Sequence, residues 1–324
     1  MPFKLDSDVA VGWAALGGGP PTVLPVGDVA ARRAWVDGFA AMAPKPLPGI
    51  TCKEFHTPSA DGHQVPIRWH AKDNHASGPP TPAVLFIHGG GLIAGSAKAS
   101  DGQLSIIITE TGIPMAAVGY RLAPEVQHPK PVEDCYAALQ WLHANARSLN
   151  IDPARIAVYG ESAGGGLSAA VSILAREKRG PAIAKQILIY PMLDDRTTVP
   201  NPHTVPFALW NAADNETGWN ALLGAKRGTT DVPPTAAPAR LTDFAGLPTA
   251  YIETGELDIF QEEILQYVIK LGRAGVSCEF HQHPGCPHAF EAFAGTGDVA
   301  RRAFADRLRA IKTIEKVETS ESKL

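Results

Sequence analysis

Arg155-Ile156-Ala157-Val158-Tyr159-Gly160-Glu161-Ser162-Ala163-Gly164-Gly165-Gly166-Leu167-Ser168, continuing through Ala169, Ala170 and Val171, is the stretch from which the fold can be read. It opens on β-branched and apolar residues, the pattern of a buried strand. It closes in an alanine-rich run with good helix propensity. Between the two lies Gly160-x-Ser162-x-Gly164, a strand-to-helix turn that leaves a serine at its apex. The turn is tight enough that side chains at 160 and 164 would collide with neighbouring strands. Ser162 is expected there in a strained backbone conformation with its hydroxyl exposed. A helix that begins at once would aim its positive end and free N–H groups at the same point. A chain with 31 glycines can also make such a turn without chemical purpose, so the rest of the chain has to decide.

Upstream, Ala83-Val84-Leu85-Phe86-Ile87 is an unbroken apolar run that reads as a strand buried on both faces. It ends in His88-Gly89-Gly90-Gly91. Earlier strands are expected at 51–57 and 65–71, joined through the hairpin signal Asp61-Gly62, and a later one at 114–120. A helix is expected over 98–111. Pro131 suits the first turn of another, with Val132, Cys135, Leu139 and Leu142 at helical spacing. Downstream come strands at 186–190, 249–254 and 277–283 and helices at 259–273 and 299–314, the last carrying Phe304, Leu308 and Ile311 inward. Strands alternating with helices imply an α/β architecture, a mostly parallel sheet of about eight strands with helices on both faces.

Two segments break the alternation. Residues 1–48 hold Trp13, Trp35 and Phe39 among Pro and Gly, with a short helix expected over Val29–Ala41 and a stiff linker at Pro44, Pro46 and Pro48. Residues 191–247 contain seven prolines and no clear strand. Both are read as parts of one helical lid over a catalytic core of 49–190 and 248–315, followed by an exposed tail at 316–324. Trp13, Trp35, Phe207, Trp210 and Trp219 suggest an apolar pocket wall in that lid.

The 324 residues can bury a large core, and 45% hydrophobic with 19% charged residues is ordinary for a globular chain. A net charge of −4 without a basic run argues against nucleic acid or an anionic membrane as partner. No apolar run approaches a membrane span, and no secretory signal is expected from the first residues. The four cysteines, Cys52, Cys135, Cys278 and Cys286, show no metal spacing and suggest a reducing compartment. Ser322-Lys323-Leu324 matches a peroxisomal address if the source is eukaryotic; otherwise the expectation is cytoplasmic.

Active sites of such sheets gather at the carboxyl ends of the strands. A serine hydroxyl needs an adjacent base, usually a histidine oriented by a carboxylate, here expected in the order Ser, acid, His. His281 and His283 fall on a strand and read as packing or surface residues. His288 follows Pro284-Gly285-Cys286-Pro287 in the loop beyond and can reach the turn. Glu253 points sideways from within a strand, which leaves Glu256 and Asp258 in the next loop as candidate acids. Gly90, Gly91 and the N–H of Ala163 are the expected donors to an oxyanion. A dinucleotide-binding reading of Gly89-x-Gly91 is weaker, because His88 stands at the entry and no helix opens from these glycines.

Six ordered motifs now stand together: His88-Gly89-Gly90-Gly91, Tyr120-Arg121-Leu122-Ala123-Pro124-Glu125, Pro131-Val132-Glu133-Asp134-Cys135, Gly160-Glu161-Ser162-Ala163-Gly164-Gly165, Gly255-x-x-Asp258 and His288-x-Phe290. Over about residues 50–315 the chain resembles the hormone-sensitive lipase family of α/β-hydrolases, the family IV esterases. The resemblance implies the α/β-hydrolase fold and a two-piece lid. It also implies a carboxylesterase of short- to medium-chain or aryl esters that works without cofactor or metal and is often a homodimer. It favours Asp258 over Glu256 as the acid. Two departures stand out. Leu92 occupies the place of the family's usual aromatic residue after the glycines and becomes a candidate substrate contact. Asp258-Ile259-Phe260-Gln261-Glu262-Glu263 lacks the family's Pro and Arg. The same apparatus could cleave a lactone or an amide. Plant gibberellin receptors share the family pattern without turnover, but they lack the histidine that His288 would supply.

Overall fold

The computed structural model describes residues 3–15, 17–18, 22–199 and 201–317. Eight strands form one sheet: β1 (Ile50–Pro58), β2 (Gln64–Lys72), β3 (Thr81–Ile87), β4 (Met115–Val118), β5 (Ile151–Glu161), β6 (Lys185–Ile189), β7 (Thr249–Gly255) and β8 (Cys278–His283). Their order is β1-β2-β4-β3-β5-β6-β7-β8. The β1–β2 hairpin turns at Gly62, and β2 runs antiparallel to β4; from β4 to β8 every pairing is parallel. Helices α1 (Ser7–Ala15), α2 (Val29–Ala40), α3 (Asp101–Thr111), α4 (Lys130–Ala144), α5 (Ala163–Glu177), α6 (Ala212–Leu223), α7 (Gln261–Arg273), α8 (Glu291–Ala294) and α9 (Asp298–Lys312) fill the intervals.

The apolar run of β3 divides its side chains between the two faces, as period-2 geometry requires. Leu85 and Ile87 join the core beneath α4, α5 and α7, with Leu139, Val171, Ile264 and Tyr267. Val84 and Phe86 join the core beneath α3 and α9, with Leu104, Ile108 and Ile311. On α9 the buried stripe is Ala300, Ala303, Arg307, Ala310 and Ile311, while Phe304 and Leu308 are only partly buried. The expected stripe thus holds, with Ile311 in the core and Phe304 and Leu308 packed against it, but it misses Arg307, a charged residue that no apolar pattern marks.

The two irregular segments contain helices that the pattern did not reveal. α1 starts where Asp6 Oδ1 accepts Asp8 N–H at 2.9 Å, and it buries Val9 and Trp13. α6 begins with a capping box, in which Asn211 and Asp214 each accept the other's end of the first turn. The segments pack on each other. Arg32 of α2, 1% exposed, donates through Nε to Asp214 Oδ1 at 2.9 Å and through its other nitrogens to the carbonyls of Leu24, Pro25 and Asp28. Arg33 fixes α2 to the core, donating to Ile93 O at 2.7 Å and pairing with Glu125. At the other end, Val317 N–H still donates to Ala154 O at 3.0 Å, so the backbone is held one residue past Lys316. Ser322-Lys323-Leu324 lies outside the described residues. All four cysteines are free thiols.

Candidate active site

The sharp turn forms at the end of β5 and the start of α5. Ser162 has φ 55° and ψ −120°, a strained conformation for a residue with a Cβ. It is held on three sides: its N–H donates to Ile189 O at 2.9 Å, and its carbonyl accepts Gly166 and Met192 N–H at 3.0 Å each. A Cβ on Gly164 would lie 2.0 Å from Ile87 O, the end of the neighbouring strand. A Cβ on Gly160 would instead meet Gly164 O at 2.1 Å, so that glycine makes room for the following helix and not for a strand.

His288 sits in the loop after β8 and is 6% exposed. Its Nε2 is 2.9 Å from Ser162 Oγ and its Nδ1 is 2.7 Å from Asp258 Oδ2. With Nδ1–H donated to the carboxylate, Nε2 is free to accept the serine proton. Asp258, 2% exposed, also accepts Phe260 N–H on Oδ1 at 3.0 Å. Tyr190 and Phe260 flank the imidazole edge-to-face, with centroids 4.6 and 5.2 Å away. Glu256 turns elsewhere: its Oε2 accepts Gly285 N–H at 2.9 Å. Glu253 is buried in an ion pair with Arg307. His281 pairs with Glu279 on the sheet edge, and His283 packs against Phe290.

The loop after β3 lies against this turn, with Gly90 at φ 119° and Gly91 at φ 60°. Among the described hydrogen bonds, none is donated by Gly90, Gly91 or Ala163 N–H. His88 props the loop from within. It stacks on Tyr120 at 4.3 Å and its Nδ1–H donates to Gly89 O at 2.8 Å. Burial holds the His88 imidazole down at about 4, so it is neutral there. Between about pH 6.5 and 4 the unfolded chain therefore binds a proton that the folded chain does not. Stability from this group is full above 6.5 and is lost as pH falls to about 4, a change of about 3 kcal/mol. Urea unfolding of wild type and His88→Asn should show a gap at pH 7.5 that shrinks by pH 4.5. A gap independent of pH would assign the acid sensitivity elsewhere.

Trp210 closes the loop from the 191–247 segment; a Cβ on Gly91 would lie 2.2 Å from its indole. The same indole lines a cavity of about 370 Å³ with Trp13, Trp35, Phe39, Leu209 and Phe293. Three of the five expected wall aromatics are there. Trp219 is buried in the main core, and Phe207 lies outside this lining. Leu92, at φ 69° and 4% exposed, packs in the main core and lines none of the described cavities.

Two other clusters bring metal-ligand types together: Cys52, His70 and Asp101, and Glu279, His281 and Asp306. The first was hidden in the sequence because the β1–β2 register, not chain spacing, places Cys52 opposite His70. In each cluster an arginine already holds the carboxylates, Arg68 on Asp101 and Arg309 on Glu279 and Asp306. A cation would have to displace it.

A family model described as alpha/beta hydrolase fold matches residues 84–292. The chain belongs to the α/β-hydrolase family. Its six motifs place this α/β-hydrolase in the hormone-sensitive lipase group. The carboxylesterase NlhH of Mycobacterium tuberculosis is 33% identical over 277 residues, covering 83% of this α/β-hydrolase and 84% of that protein. The esterase LipI of the same species is 32% identical, covering 73% and 76%. Among solved structures, a bacterial heroin esterase superposes with a TM-score of 0.87 at 38% identity, over 97% of this α/β-hydrolase and 99% of that chain.

Proposed function

We propose that this α/β-hydrolase is a serine carboxylesterase in which Ser162 is the nucleophile, His288 the base and Asp258 the orienting acid. The observation that carries the reading is the chain of contacts from Ser162 Oγ to His288 Nε2 at 2.9 Å and from His288 Nδ1 to Asp258 at 2.7 Å. Ser162 attacks the ester carbonyl as His288 takes its proton. The oxyanion is met by the unengaged N–H groups of Gly90, Gly91 and Ala163. The imidazolium then protonates the leaving alcohol. Water, activated by the same imidazole, releases the acid from the acyl-enzyme. No step calls for a cofactor or a metal.

The substrate is read as an ester with a short acyl group on an apolar or aromatic alcohol. The aromatic cavity beyond Trp210 suits the ring, and the structural relative is titled a heroin esterase. In this reading the described residues of 1–48 and 191–247 form the lid, and Trp210 rather than Leu92 limits what enters. The homodimer implied by the resemblance has a place to form at β8, the terminal strand, whose outer edge no described strand pairs. No described helix is long and apolar enough to cross a membrane. A peroxisomal address is read only in a eukaryotic cell, and the relatives named above are bacterial.

The test is a series of acetyl, butyryl and aryl esters with a lactone and an anilide, assayed on wild type and Trp210→Ala. Esters should be turned over and the anilide left intact. Trp210→Ala should raise kcat/KM for bulky aryl esters about tenfold relative to ethyl acetate. Lactone or anilide turnover above every ester would replace the reading. Equal effects of Trp210→Ala on both ester classes would remove the cavity from it.

A further inference from the structure

Arg307 of α9 is 4% exposed, in a stripe otherwise made of small and apolar residues. A guanidinium withdrawn from water is tolerated only when its charge and N–H groups are met, and an apolar side chain of similar volume is often the more stable choice. Its charge is met by two carboxylates. Nε donates to Glu253 Oε1 at 2.8 Å, a second N–H goes to the same oxygen, and Nη1 lies 2.6 Å from Glu291 Oε1. Burial alone would raise the Glu253 carboxyl, but Arg307 together with His283 outweighs it and holds it at about 2. Tyr190 OH donates to the same Glu291 oxygen at 3.0 Å, and its ring packs 4.6 Å from His288. A third acid, Glu161, is half-buried within the field of this guanidinium, held by Gln103 Nε2 at 2.5 Å and Tyr159 OH at 3.1 Å.

The three acids are not scattered. Glu161 immediately precedes Ser162, Glu253 lies on the strand that leads to Asp258, and Glu291 follows His288 by three residues. One cation thus faces all three chain segments that carry the reacting groups. We infer that Arg307 is a positioning residue: through Glu291 and Tyr190 it fixes the His288 imidazole against Ser162 and Asp258. This rests on the triad proposed above. It assigns α9 a part in the chemistry, although no described hydrogen bond or ion pair joins that helix to Ser162.

The test compares Arg307→Met, Arg307→Lys and Glu291→Gln on one p-nitrophenyl ester, with Ser162→Ala alongside. Misplacing a base by an ångström can cost on the order of 10²-fold. Arg307→Met should lose that much in kcat with KM within about twofold. Glu291→Gln should lose on the order of tenfold in the same way. Arg307→Lys keeps the charge but cannot span both carboxylates, so it should fall between wild type and Arg307→Met. If Arg307→Met does not fold, Glu291→Gln decides, because its side chain is 29% exposed and the change keeps its shape. A folded Glu291→Gln with wild-type kcat overturns the inference, as does a loss seen in KM alone. Activity retained in Ser162→Ala would instead remove the triad, and the inference with it.

Discussion

Ser162→Ala should reduce turnover of a p-nitrophenyl ester by about 10⁴-fold or more while the protein keeps its fold. The size follows from how the site is built. Among the described residues Ser162 Oγ is the hydroxyl bonded to His288 Nε2, at 2.9 Å, so alanine leaves the base with nothing to deprotonate but water. The oxyanion donors stay in place, and their residual contribution sets the floor. The fold should survive because the turn is held by backbone groups: the Ser162 N–H on Ile189 and its carbonyl on Gly166 and Met192. Alanine keeps all three. Unfolding free energy should move by no more than about 0.5 kcal/mol. The decisive pair of measurements is kcat and urea unfolding on the same preparation. A stable variant with near-normal turnover would refute the mechanism, whereas an unfolded one would show that the hydroxyl supports the turn.

Asp258→Asn should cost about 10⁴ in kcat, and Glu256→Gln far less. An asparagine fills the same space, but it can present an amide N–H to His288 Nδ1, which favours the tautomer unable to accept from Ser162. Nor does it stabilise the imidazolium. Glu256 is engaged with the Gly285 N–H at 2.9 Å, so its loss loosens the loop that leads to His288 without altering the charge beside the ring. The reverse ranking would transfer the acid's role to Glu256.

The choice between these two acids marks where the sequence stops informing. They sit two residues apart in one loop, and nothing local says which turns toward the histidine. Motif resemblance favoured Asp258, and the 2.7 Å contact lies on that residue. The turn at Ser162 and the apolar run of β3 were legible because their signals are contiguous: glycines where backbones touch, β-branched residues where both faces are covered. α1 and α6 were not. Each lies in a segment rich in proline or glycine, and each is stabilised by packing on distant residues more than by its own pattern. Trp13 and Trp210 meet around one cavity from distant stretches of the chain, a proximity no spacing records. Arg307 failed for a simpler reason. Reading a helix by its apolar positions assigns every charge to solvent, and this one points inward.

The Arg32–Asp214 pair has a bearing on how such chains can be recombined. A donor fragment carrying a new 191–247 segment would have to bring residues 24–33 with it. Otherwise a guanidinium 1% exposed is left facing a foreign side chain. Breaking a buried pair from one side costs about 3–5 kcal/mol, a sizeable share of a domain's net stability. Descent should therefore treat these two stretches, far apart in the chain, as one heritable cassette. Shuffled libraries cut between them will be depleted of folded members wherever the parents differ at position 32 or 214.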